Sequence, residues 1–182
     1  ALEAATRRTG VRIHLLQAGW FENEQMERAY RDAVREFAPG VNAVFLDGRE
    51  PEVRDRVWHA ADVYAAFHDT ISHGLDSEIL EAMAAGLPIV AADWGSNRDI
   101  VKSQQHGFLI PTWLPLPESG GDLTLAPENS LEPANLHRAD TFLAGTVNQT
   151  TALDIRAAAD AFQLLANDPG KRQAIGDAAR RH

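Results

Sequence analysis

The sequence predicts an α/β domain: a Rossmann-like, doubly wound parallel sheet with helices on both faces. Short apolar runs alternate with amphipathic helical patterns through brief connections, the order that produces parallel strands with crossover helices. The runs are apolar on both strand faces, as strands covered on both sides require. At 182 residues the chain suits one domain with a full core.

ALEAATRRTG reads as the last turns of a helix feeding the first visible strand, so the sheet is expected to lack its first strand. VRIHLLQAG (11–19) is a buried strand ending in glycine. Met26, Ala29, Tyr30, Ala33, Val34 and Phe37 then recur at helical spacing until Pro39-Gly40 stops the helix. NAVFLDG (42–48) is the next strand, and Pro51 opens a helix with Val53, Val57, Trp58 and Ala61 on one side. DVYAAFH (62–68) precedes a helix near 77–85, which Gly86 caps before the strand PIVAAD. GFLIP (107–111) closes the series.

Residues 111–150 are rich in proline and glycine and hold no sustained period, which marks a long loop or lid insert within the single domain 1–182. LHRADTFLAGTV can form a helix. TTALDIRAAADAFQLLAND forms one more clearly, with Leu153, Ala157, Ala158, Ala161, Phe162 and Leu165 as its stripe. NDPG breaks the chain before a last helix, KRQAIGDAARRH.

Composition removes several function classes. The formal charge of −9 repels phosphate backbones and anionic lipid, which argues against general nucleic-acid binding and membrane-surface binding. No apolar run reaches the roughly 18 to 20 residues of a membrane span, and the N-terminus has no signal-peptide segment, so a soluble, cytoplasmic protein is expected. Without cysteine there is no disulfide framework, thiolate zinc site or thiol nucleophile. The first strand ends LLQAGWFEN, with no Gly-x-Gly-x-x-Gly, which makes a Rossmann dehydrogenase a poor reading.

Doubly wound sheets bind ligands outside the carboxyl ends of their strands. That rule selects Gly19, Asp47-Gly48, His68 to Asp76 and Asp93 to Asn97. His68, Asp69, His73 and Asp76 have the ligand types of a metal site, but loop histidines at strand ends are commoner than metal sites, so no metal is expected. For Arg98 a surface salt bridge is favoured over a phosphate contact. Trp20, Trp94 and Trp113 are expected to pack in the core or under a lid. HGLDSEILEAMAAGLPIVAAD (73–93) poses the sharpest question, because Glu81 is expected on a face that should be buried.

EAMAAGLPIVAADWGSNRDIV followed by GFLIP resembles the donor-binding region of retaining glycosyltransferases of family 4, of the GT-B fold. ADVYAAF (61–67) and the closing Asp168-Pro169 helix with Ile175-Gly176 support the likeness, which covers most of the chain outside 111–150. The resemblance implies the C-terminal, nucleotide-sugar-binding half of such an enzyme. It implies a nucleoside diphosphate sugar as substrate, transfer with retention and no cofactor or metal. Glu81 matches the glutamate that takes the two ribose hydroxyls, a role suited to a carboxylate with two acceptor oxygens. The diphosphate falls to backbone N–H groups of Gly74, Leu75, Asp76 and Ser77, where the helix dipole favours anions. Gly19, after the first strand, completes the expected donor set. The implied partner is an N-terminal acceptor domain of the same parent chain, through which any peripheral membrane contact would run. Alone, this chain is then expected to be inactive.

Two positions depart from the family pattern. His73 stands where a glutamate usually contacts the transferred sugar, and Asp76 puts a negative charge at the helix start. These departures support a second reading, a regulatory or structural α/β module that has lost donor binding. No residue is singled out as a catalytic nucleophile.

Overall fold

The computed structural model describes residues 1–67, 77–113 and 151–182. His68, Asp69, His73, Gly74, Leu75 and Asp76, most of the insert, and the helix expected at LHRADTFLAGTV lie outside the described residues. In chain order the elements are α1 (Leu2–Thr9), β1 (His14–Gly19), α2 (Glu24–Phe37), β2 (Asn42–Asp47), α3 (Pro51–Ala60), β3 (Tyr64–Ala66) and α4 (Ser77–Ala84). There follow β4 (Ile89–Ala92), α5 (Asn97–Ile100), β5 (Gly107–Ile110), β6 (Thr112–Trp113), β7 (Ala152–Leu153), α6 (Ile155–Asn167) and α7 (Pro169–Arg180).

The expected parallel pairing is present. β1 pairs with β2, and β4 lies between β3 and β5, all parallel. All four residues of β4 are buried because helices cover both of its faces. Ile89 and Ala91 point into a cluster with Ile79, Ala82 and Met83 of α4 and Ala179 of α7. Val90 points the other way, among Ala5 of α1, Ile110, and Ala158, Ala161, Phe162 and Leu165 of α6. This alternation is the two-residue period of a strand buried on both sides. Each fully buried Ile or Val contributes roughly 1.5 to 3 kcal/mol of transfer free energy.

Gly86 ends α4 as expected. Its φ of 80° is left-handed, its N–H donates to the Met83 carbonyl, and Leu87 N–H donates to the Ala82 carbonyl, closing a Schellman turn. α7 packs onto that turn through a second glycine: a Cβ on Gly176 would stand 2.1 Å from the Gly86 carbonyl oxygen. Glycine at 176 lets the two backbones meet, whereas a Cβ on Gly86 would meet the Arg180 guanidinium, 2.7 Å from Nη2.

Several expectations need correction. Glu81 is exposed, because the inward stripe of α4 is Ile79, Ala82 and Met83. Trp20 and Trp113 are 66% and 55% exposed rather than packed in the core. α2 forms over its predicted span but has no buried residue, and Met26, Tyr30 and Phe37 of its apolar stripe are exposed. Leu153 is not helical: it pairs with Thr112 in an antiparallel ladder of β6 and β7 that draws together the chain on either side of the insert. Asp154 caps α6 instead, accepting from Ala157 N–H at 2.9 Å. The last helix begins at Pro169, before Gly170, with Asp168 as its cap accepting from Lys171 N–H.

Candidate functional site

The candidate site, as expected from the sequence, falls on α4 and the carboxyl ends of the strands. α4 begins at Ser77, and Ser77 and Glu81 share its exposed face one turn apart, with Leu80 and Ala84 beside them. The buried stripe fixes the helix's rotation, so the outward direction of Glu81 follows from Ile79, Ala82 and Met83 facing inward. The Glu81 carboxylate is exposed among the described residues.

Gly19 ends β1 in register with Asp47 of β2, and its carbonyl accepts from Gly48 N–H at 3.0 Å. A Cβ on Gly48 would lie 2.9 Å from Gly19 N, so glycine at 48 permits the close approach of the two strand ends. Among the described residues, no hydrogen bond joins Gly19 to Ser77 or Glu81. The structure thus brings Ser77 and Glu81 together on one helix face and leaves Gly19 with β2. His73, Gly74, Leu75 and Asp76 fall outside the described residues.

Acidic residues at two strand ends are held by arginines that follow them, Arg49 in a turn and Arg98 in α5. Arg49 binds Asp47 through Nε at 2.9 Å and Nη2 at 2.7 Å, and its backbone N–H donates to the same carboxylate. The side-chain and backbone hydrogen bonds from Arg49 hold the Asp47 pKa at about 2. Beyond β4, Arg98 Nε donates to Asp93 Oδ1 at 2.7 Å and to the Asp93 carbonyl at 3.1 Å. This is the salt bridge favoured for Arg98 in the sequence. Buried Asn97 donates to the Ala92 carbonyl and ties the same turn to the end of β4. The Asp47–Arg49 pair was not anticipated, although a carboxylate two residues before an arginine in a turn was there to be read.

Among the described residues, no group of three or more His, Cys, Asp or Glu side chains is placed to hold a metal ion. Among the same residues, no helix is long and apolar enough to cross a membrane.

Parallel strands with helices on both faces define an α/β domain, and Glu81 stands exposed on the helix after β3. Residues 1–115 match the family described as glycosyl transferases group 1, and the chain belongs to that family. Over 111 residues it is 31% identical to the D-inositol 3-phosphate glycosyltransferase of Mycobacteroides abscessus. That alignment takes in 61% of this chain and 25% of the relative, so the chain spans about a quarter of the curated relative's length. Its structure resembles sucrose-phosphate synthase of Thermosynechococcus elongatus with a TM-score of 0.62 at 20% identity, over 99% of this chain and 35% of that one. That likeness shows the fold, which is of the kind found in GT-B glycosyltransferases. The family match ends beside β6. The residues that carried the resemblance beyond it, Asp168-Pro169 and Ile175-Gly176, lie within the structural likeness alone.

Proposed function

We propose that this chain is the nucleotide-sugar-binding, C-terminal domain of a family 4 glycosyltransferase. It would serve transfer of a sugar from a nucleoside diphosphate to an acceptor held by an N-terminal domain, with retention and without metal. The observation that carries the reading is the structure taken by Glu-Ala-Met-Ala-Ala-Gly-Leu-Pro, residues 81–88. Its apolar residues, Schellman turn and the buried strand that follows fix the rotation of α4, and Glu81 is left exposed one turn from the helix start. Membership in the glycosyltransferase family supports the same reading.

In this proposal Glu81 accepts hydrogen bonds from both ribose hydroxyls, and the N–H groups at 74–77 take the diphosphate. Gly19 lines the opposite strand end without a side chain to obstruct the donor. A charge-assisted hydrogen bond of this kind is worth roughly 1.5 to 3 kcal/mol. The test is a double-mutant cycle of ribo- against 2′-deoxyribonucleoside diphosphates on the native chain and Glu81→Ala. The native chain should prefer the ribonucleotide by about tenfold, and the variant should lose that preference. Equal preference in both proteins refutes the ribose role.

Asp76 supports a second reading, a module without donor binding, because a carboxylate beside the helix start opposes a phosphate there. Restoring His73→Glu and Asp76→Pro separates the two. Nucleotide binding that appears only in the restored chain assigns the loss to this loop. Binding by the native chain removes the second reading.

A further inference from the structure

α4, which carries Glu81, is short: eight residues from Ser77 to Ala84. A helix of that length is marginal by itself, so what it packs on sets its position, and its ends fray first. Its last bond of the i to i−4 kind runs from Ala85 N–H to the Glu81 carbonyl at 2.9 Å, and the next amide, Gly86 N–H, already turns back to Met83. Fraying of this end therefore releases the main chain of Glu81 itself.

The end of α7 closes over that point. Ala179 is buried in one cluster with Ile79, Ala82 and Met83, the inward stripe of α4. Arg180, next in sequence, donates from Nη2 to the Ala85 carbonyl, one of the helix-terminal carbonyls that a helix cannot satisfy from its own amides. Its guanidinium lies across the Gly86 backbone, since a Cβ built there would stand 2.7 Å from Nη2 and 3.0 Å from both Cζ and Nε. A cation in this place also meets the negative end of the α4 dipole. Arg172, about two turns earlier in α7, is tied elsewhere: Nη1 donates to the Leu165 carbonyl of α6 at 2.8 Å, and Nη2 lies 3.4 Å from the Asp62 carboxylate. The two arginines thus fasten one helix to different elements, Arg172 to α6 and Arg180 to the end of α4.

We propose that Arg180 is a positioning residue for the donor site: by holding the last turn of α4 it fixes where the Glu81 carboxylate meets the ribose. The inference rests on the ribose role proposed for Glu81. Two acceptor oxygens that must meet two neighbouring hydroxyls tolerate little displacement, so a frayed last turn weakens the contact without removing the carboxylate. Arg180 itself touches Ala85 and Gly86 and acts on the nucleotide through Glu81.

Calorimetric titration with UDP, GDP and ADP, each against its 2′-deoxy form, tests this on the native chain, Arg180→Ala, Arg180→Lys and Arg172→Ala. Arg180 is exposed at the end of α7, so the fold tolerates its replacement, and circular dichroism verifies that each variant is folded. The native chain should prefer the ribonucleotide by about tenfold, and Arg180→Ala should lose at least about threefold of that preference. Arg180→Lys should keep most of it, because one carbonyl needs one donor, which an ammonium also supplies. Arg172→Ala should keep all of it, whereas a general loosening of α7 would act in both alanine variants alike. Full preference in Arg180→Ala, equal loss in Arg172→Ala, or a lysine variant no better than alanine each overturns the positioning role and leaves the ribose role of Glu81 standing. A native chain without ribose preference removes both.

Discussion

Gly176→Ala is the sharpest test of how the Gly86 turn is held. Helix propensity alone favours alanine over glycine inside α7 by about 1 kcal/mol. Against that, the new Cβ would sit 2.1 Å from the Gly86 carbonyl oxygen, 3.0 Å from its carbon and 3.4 Å from Pro88 Cδ. The obstacle is backbone, so no side chain can rotate away, and α7 must retreat by more than about 1 Å to reach ordinary contact distances. Overpacking of this kind costs up to about 3 kcal/mol, which leaves a net loss near 2 kcal/mol after the propensity gain. For a chain of this size that lowers Tm by about 4 to 8 °C, read by circular dichroism. Gly170→Ala is the internal control, since its Cβ would meet only Oδ1 of the capping Asp168, at 3.5 Å. It should leave Tm unchanged or slightly raised. A Gly176→Ala variant as stable as the native chain would refute the close-approach argument.

Three further outcomes follow from the same structure. Asp47 has its pKa depressed to about 2 from 3.8 by Arg49, so its stabilisation is complete above the unfolded value and lost as pH falls through the folded one. Asp47→Asn should therefore flatten the acid limb of stability between about pH 4 and 2, by urea unfolding at each pH. His106 is buried and stacked on His182 with ring centroids 4.3 Å apart; burial first, then the His182 and Lys102 charges, lower its pKa below 6.5, against a raising backbone hydrogen bond at Ile100. The unfolded chain then takes up this proton first, so stability should fall as pH drops below about 6.5, and His106→Gln should remove that part of the slope. Asp154→Ala removes the cap on Ala157 N–H and should cost about 1 kcal/mol in chemical unfolding, with Asp154→Asn nearly neutral.

What the sequence made legible is local and strongly patterned. β4 could be read because Ile89 to Ala92 is a continuous apolar run between a helix-capping glycine and a turn, and the same punctuation placed the end of α4. The outward face of Glu81 was misjudged because the motif's apolar density hides which stripe of α4 is inward; only packing against β3 and β4 resolves it. Leu153 fits the period of the helix that follows, and nothing local reveals that Asp154 starts that helix or that Leu153 pairs with Thr112 across a long stretch of sequence. Two-residue strands carry no period to detect. The exposed stripe of α2 shows the converse: periodicity correctly predicts a helix while saying nothing about whether its apolar side finds a partner. At the site, the family resemblance selects Glu81 and Ser77 and a salt bridge is favoured for Arg98, whereas the Arg49 clamp on Asp47 needs three-dimensional distances.

The most direct test of the account is calorimetric titration of the folded chain with UDP, GDP, ADP and TDP, with Glu81→Ala in parallel. The account predicts saturable binding of one nucleotide and at least about a tenfold loss in the variant, the equivalent of 1.4 kcal/mol. Binding to none of the four by a chain that circular dichroism shows to be folded, or equal affinity in the variant, would contradict it.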